Sequence, residues 1–288
     1  MNRASTRSEP VDAPPEVLEV VGHFGLAAGN ANVIMQLARL PVGHGVARSR
    51  VDSGRVDKHP IKRLRTTVTY LSIALLGTEA ERRTMRDEVN RAHSQVRSLP
   101  GDPVAYNAFD PELQLWVAAC LYWGTADVYR KLHGHDLPPG RAEVFYEYCK
   151  RLGTTLQVKE ELWPSDLQAF RAYWEDGLRK VQMDELTKGY LQSLTELDFL
   201  VAPLGPLAKP LKPLLRPLGR FLTLGWLPEP FRAELGLPWG ARQQRLFDAH
   251  IRSYAALTRR SPRWSREFPM NAYLADARRR IRTGQAIV

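Results

Sequence analysis

Apolar residues recur along this chain at steps of three and four, the spacing that lays one hydrophobic stripe on an α-helix. Ile61, Leu64, Val68, Leu71 and Leu75 form one stripe that Gly77 closes, and Met85, Val89, Ala92, Val96 and Leu99 form the next, closed by Pro100-Gly101. Thr78 and Glu81 have the Ser/Thr-x-x-Glu spacing of a capping box, in which each side chain satisfies an orphan backbone donor, so the second helix begins there. Asp110-Pro111-Glu112 opens a third helix, running to about Leu132: the aspartate caps, the proline suits the first turn and the glutamate complements the dipole. That helix carries Leu113, Trp116, Val117, Cys120, Trp123 and Ala126 and is apolar around most of its circumference. It is therefore predicted to be central, flanked by the helices that carry Arg63 and Thr67 and His93. Further helices are predicted from about Arg141 to Leu152, after a Ser165/Gln168 cap, and over 230–235, 243–257 and 269–282.

No run of six residues alternates with period two, and no Asn-Gly or Asp-Gly hairpin turn occurs, so the predicted fold is all-α. We read residues 1–14 as a polar N-terminal tail and 15–288 as one multi-helix domain. Residues 199–228 break the pattern, with prolines at 203, 206, 210, 213 and 217 and no acidic residue. Each proline lacks an amide donor and clashes with the preceding turn, which predicts a connector or lid in place of a helix. Its Lys209, Lys212, Arg216 and Arg220 are expected on an exposed basic side, with Leu207, Leu211 and Leu218 facing the body.

Composition narrows the classes. The 288 residues are 44% hydrophobic and 25% charged, which excludes a disordered or fibrous chain, and the net charge of +10 permits anionic partners. The basic residues, Arg278-Arg279-Arg280-Ile281-Arg282 included, accompany no recognition motif, so no nucleic-acid partner is expected. Two cysteines, Cys120 and Cys149, exclude a disulfide scaffold and a cysteine-built metal site. The N-terminal residues contain no apolar core of a secretory signal, and no spanning segment stands out in the first 190 residues, so a cytoplasmic location is expected.

The sequence has no P-loop, no Gly-x-Ser-x-Gly elbow and no Gly-x-Gly-x-x-Gly fingerprint. His133-Gly134-His135 sits in a turn without the further ligands a metal clip requires. His93 differs: four residues after Val89 and three before Val96, it borders a buried stripe, where an imidazole can reach a pocket. Arg63 and Thr67, i and i+4 on the preceding helix, can share that pocket if the short Gly77 turn packs the two helices antiparallel. By spacing alone, a helical histidine in this setting is more commonly a satisfied core residue than a ligand.

Five stretches, in order, resemble the MpaB/rubber oxygenase catalytic-domain family, the helical heme proteins that include the latex clearing proteins. They are Gln36–Pro41 with Gly45-Val46; Arg63–Thr67; Val89–Val96; Tyr106 with Asp110–Val117; and Leu227-Pro228 through Arg232 to Leu237. The resemblance implies a heme b with His93 as iron ligand, and Arg63 and Thr67 lining the pocket as catalytic and cofactor-binding residues. It further implies a heme-dependent oxygenase that uses dioxygen on a hydrophobic, lipid-like or isoprenoid substrate. Thr66 stands where latex clearing proteins carry a lysine. The alternative is a non-enzymatic lipid-binding protein that docks peripherally on anionic membrane through residues 199–228.

Overall fold

A computed structural model describes residues 13–48, 59–196, 210 and 212–287. Among these, helices follow one another with short connections: α1 (Pro15–Val20), α2 (His23–Ala27), α3 (Gly29–Leu37), α4 (Leu40–Ala47), α5 (Pro60–Leu76), α6 (Glu79–His93), α7 (Pro111–His133), α8 (Pro139–Cys149), α9 (Arg151–Thr154), α10 (Leu167–Arg179), α11 (Glu185–Thr195), α12 (Lys212–Trp226), α13 (Glu229–Glu234), α14 (Ala241–Arg260), α15 (Arg263–Arg266) and α16 (Met270–Arg282). No strand occurs among the described residues, only an isolated bridge between Arg97 and Asn107. The fold is an all-α domain, as the apolar spacing predicts.

Helix α7 is the axis. Asp110 Oδ1 accepts the amides of Glu112 (2.9 Å) and Leu113 (3.1 Å), and Gly134, at φ 81°, ends the helix in the left-handed conformation that favours glycine. Around it pack α1, α2, α3, α9 and α14. Trp116 is fully buried, its indole stacked on Trp174 with ring centroids 5.3 Å apart and its Nε1 donating to the Gln36 carbonyl at 3.2 Å. Gly177 makes that stack fit, because a Cβ there would stand 2.5 Å from the Trp116 ring. The expectation that α5 and α6 flank α7 directly is corrected. Helix α5 packs mainly along α16, α6 and α9, and the three helices face one another across a cavity.

Three local expectations also change. The α5 stripe is buried only from Val68 onward; Ile61 and Leu64, in the helix's first turns, are 69% and 42% exposed. Helix α6 starts on the expected capping box, with the Thr78 amide donating to Glu81 Oε2 at 2.8 Å, but it stops at His93. There the chain turns and pairs with itself: the Ala108 amide bonds the Val96 carbonyl at 3.0 Å, and the Ser98 amide bonds Tyr106 at 2.8 Å. Val96 and Leu99 are thus removed from the helical stripe. Asp166, in place of Ser165, caps α10, its Oδ1 accepting the Ala169 amide at 2.8 Å.

The proline-rich segment departs furthest from expectation. Residues 199–209, with Leu207 and Lys209, lie outside the described residues, as do Leu211 and residues 1–12. From Lys212 to Trp226, however, the chain is helical despite Pro213 and Pro217. Pro213 falls in the first turn, where amides have no intrahelical partner to lose, and Pro217 is exposed, so the carbonyl it frees meets water. Gly219, Thr223, Leu224 and Trp226 turn inward, whereas Leu218, expected against the body, is 51% exposed. Nor is the basic side bare of acids: Arg216 is ion-paired with Glu196 at 3.3 Å, and Lys212 and Arg220 are only partly exposed.

Candidate heme cavity

Between α3, α4, α5, α6 and α7 lies a cavity of about 540 Å³, within the roughly 300–1,000 Å³ range of small-molecule and cofactor sites. Leu37, Val42, Val46, Leu113, Val117 and Leu156 supply its apolar walls. Polar groups converge from two helices, Lys62, Arg63 and Thr66 from α5 and Glu88, Arg91 and His93 from α6, with Gln95, Asn107 and Gln114 beside them.

His93 is held by a chain of amides. Its Nδ1 lies 3.2 Å from Gln157 Oε1, and since a carbonyl oxygen only accepts, Nδ1 carries the proton and Nε2 the lone pair. Gln157 is itself fixed: its Oε1 also accepts from Gln114 Nε2 at 2.5 Å, and its Nε2 donates to Asn90 Oδ1, one turn back on α6. Gln114 Nε2 also reaches the Ala108 carbonyl at 2.7 Å. Phe109 meets the imidazole edge-on, with centroids 6.5 Å apart. No hydrogen bond reaches Nε2 among the described residues. Burial lowers the pKa of His93, the Gln157 bond opposes that shift, and the charge of Arg63 adds to it, so the ring is neutral at pH 7.

This is a donor set that fits heme. A histidine whose second nitrogen is anchored by an oxygen acceptor has its tautomer and ring plane set for a metal, and here it borders a largely apolar cavity. Arg63 keeps accessible surface because it stands on the cavity wall; the protein around that wall lowers its pKa, with Tyr190 opposing, and the side chain stays cationic. Thr67 is half-buried on α5 and does not line the cavity, whereas its neighbour Thr66 does, with Oγ1 donating to the Lys62 carbonyl at 3.0 Å. The structure thus brings Arg63 and His93 to one cavity and leaves Thr67 off its wall. No group of three or more His, Cys, Asp or Glu side chains suited to a metal occurs among the described residues.

The sequence pattern gave no sign of Gln157, and it marked Gln114 and Tyr106 only as part of the family-like stretches, without a role. Asn90 had a visible signal, lying three residues before His93 on one helix face, but Gln157 follows α9 in a loop and only the fold brings it to the histidine. Behind the cavity, the buried His44 of α4 donates from Nε2 to Asp184 Oδ2 at 2.7 Å. Burial pushes the Asp184 carboxyl up, but the Thr187 amide and the His44 ring outweigh it and hold its pKa at about 2. That pair ties α4, which forms part of the cavity wall, to the N-terminus of α11.

Residues 18–260 match the family described as ER-bound oxygenase mpaB/B'/Rubber oxygenase, catalytic domain. Two mycobacterial proteins, one from Mycobacterium tuberculosis and one from Mycobacterium bovis, are each 46% identical to the chain over 258 residues. The alignments cover 90% of this chain and 98% of theirs, and both proteins are described as uncharacterized. No solved structure matches. No helix among the described residues is long and apolar enough to cross a membrane.

Proposed function

Since the chain belongs to the mpaB/rubber oxygenase catalytic-domain family, we propose that it is a heme-dependent oxygenase acting on a hydrophobic, lipid-like or isoprenoid substrate. The observation that carries this reading is His93: a neutral imidazole on the wall of a largely apolar cavity, its Nδ1 anchored by Gln157 and its Nε2 met by no hydrogen bond among the described residues. His93 would hold the iron of a heme b bound there, which would supply the oxygen-activating chemistry.

The chain's own groups do the rest. His93 offers its Nε2 lone pair, and Gln157 fixes the ring orientation and makes the imidazole a better donor. Arg63 places a permanent positive charge on the same wall, where it would suit a carboxylate of the cofactor or of the substrate. Thr66 adds a hydroxyl to the same wall, and Thr67 follows it on α5. The aliphatic walls exclude water and accept an apolar chain, which suits an alkene or acyl substrate. Dioxygen is the co-substrate.

The test is an absorption spectrum of purified protein before and after hemin addition. A Soret band that titrates to one equivalent, together with oxygen uptake on addition of an unsaturated lipid or isoprenoid, is the expected result. Protein that gains no Soret band with excess hemin contradicts the reading.

A further inference from the structure

Beside the His93 cavity lies an open cleft of about 620 Å³, and the two share Pro41, Tyr106, Asn107 and Leu113 as walls. Gly45 permits this arrangement, since the Tyr106 ring lies 3.3 Å from where a Cβ would stand. The cleft's most informative residue is Arg39, at the junction of α3 and α4. It is only 8% exposed, yet among the described residues no carboxylate pairs with it and no acceptor meets its guanidinium, its buried Nε included. It lies over the face of Trp116, 4.6 Å from Cζ to the ring centroid. Tyr173, held neutral by burial with the charge of Arg39 opposing, also has a buried hydroxyl with no partner among the described residues.

A buried arginine in a folded protein is normally matched by an acid, because removing a guanidinium from water is costly. The acids on this cleft are engaged elsewhere. Asp110 caps α7, and Glu112 faces Lys180 at 3.4 Å, a lysine also held by Asp176 at 2.8 Å. Arg97, exposed on the same cleft, has no ion pair among the described residues. Two arginines without acidic partners among the described residues, one of them buried and stacked on an indole, leave a fork of donors that suits a planar or tetrahedral oxyanion.

We propose that this cleft binds the anionic head group of an amphiphilic substrate, a carboxylate or phosphate ester held by Arg39 and Arg97, with the apolar chain running past Tyr106 toward the His93 cavity. This deepens the proposed function by naming a substrate class, and it rests on the cavity being the site of chemistry. Head-group binding itself requires no turnover, so the two claims separate experimentally.

Purified protein, its heme content recorded, is titrated by calorimetry with decanoate, decyl phosphate, 1-decanol and acetate. The expected result is roughly 10- to 100-fold tighter binding of one or both anionic amphiphiles than of 1-decanol, the range of a charge-assisted bidentate contact, and no measurable binding of acetate. The decanoate and decyl phosphate arms tell a carboxylate site from a phosphate site. Arg39→Gln should erase the preference and leave 1-decanol binding intact. Should that variant fail to fold, Arg39→Lys, which keeps the charge and loses the fork, should weaken decanoate several-fold without affecting 1-decanol. Wild-type protein that binds 1-decanol as tightly as both anions overturns the inference, whatever its heme content. An Arg39→Gln protein that loses hemin affinity but keeps the anion preference also overturns it, assigning the arginine to the cofactor's carboxylates. A head-group preference in protein unable to bind hemin sinks the oxygenase reading and leaves the cleft assignment standing.

Discussion

His93 shows what a single position can and cannot disclose. Its place at the edge of a buried stripe is visible in the spacing of Val89 and Val96, although Val96 turns out to follow the helix and not to lie on it. What converts it from a core histidine into a ligand candidate is Gln157, sixty-four residues away and placed by the fold alone. Gln157→Leu should therefore loosen hemin binding roughly 10- to 100-fold, the usual cost of losing a partner behind a metal ligand, while circular dichroism stays unchanged. A hemin titration checks it, and unchanged affinity would show that the amide chain is only structural. Asp184 gives a second residue-scale prediction. Its folded pKa, about 2, lies below the ordinary 3.8, so its stabilising effect is present above about pH 3.8 and is lost as pH falls toward 2. Asp184→Asn should lower the melting temperature at neutral pH and lessen its decline between those values, which thermal melts across that range would reveal.

At the scale of elements, polar termini were more legible than interiors. The Thr78/Glu81 box and the Asp110 cap follow from local chemistry, because the donors they satisfy belong to the next three residues. Asp110→Ala should cost about 1 kcal/mol in urea denaturation. At α10, Asp166→Ala should cost more than Ser165→Ala, since the Asp166 side chain holds the Ala169 amide. The proline rule misjudged α12 because it weighs each proline without asking where it falls: one in the first turn and one on a wet face leave the inner face of Gly219, Thr223 and Leu224 continuous. The exposed first turns of α5 escaped for a related reason. Periodicity records that a stripe exists but not how far a neighbouring helix extends along it, and here α5 also contributes Lys62, Arg63 and Thr66 to the wall of a cavity.

Over the whole molecule, the all-α class and the central Trp116 helix were readable because nearly every turn of α7 is apolar, and such a helix can only be an axis. The cavity was not readable, since a void is a property of how helices fail to meet. Trp116→Ala should destabilise the domain by ~3–5 kcal/mol in chemical denaturation, because the indole is fully buried against Trp174 and under Arg39. Gly177→Ala tests the same stack from the other side, with a methyl 2.5 Å from the ring predicted to lower stability and not to raise it.

The central claim is that the His93 ring is the protein's hold on heme iron. The most direct measurement replaces the ring and then supplies it again: the His93→Gly protein is titrated with hemin, without and with free imidazole, and followed in the Soret region. The wild-type band should be lost or strongly shifted in the variant and restored to the wild-type position by imidazole, with the helical circular dichroism constant throughout. A His93→Gly protein that binds hemin with the wild-type spectrum in the absence of imidazole would contradict that claim.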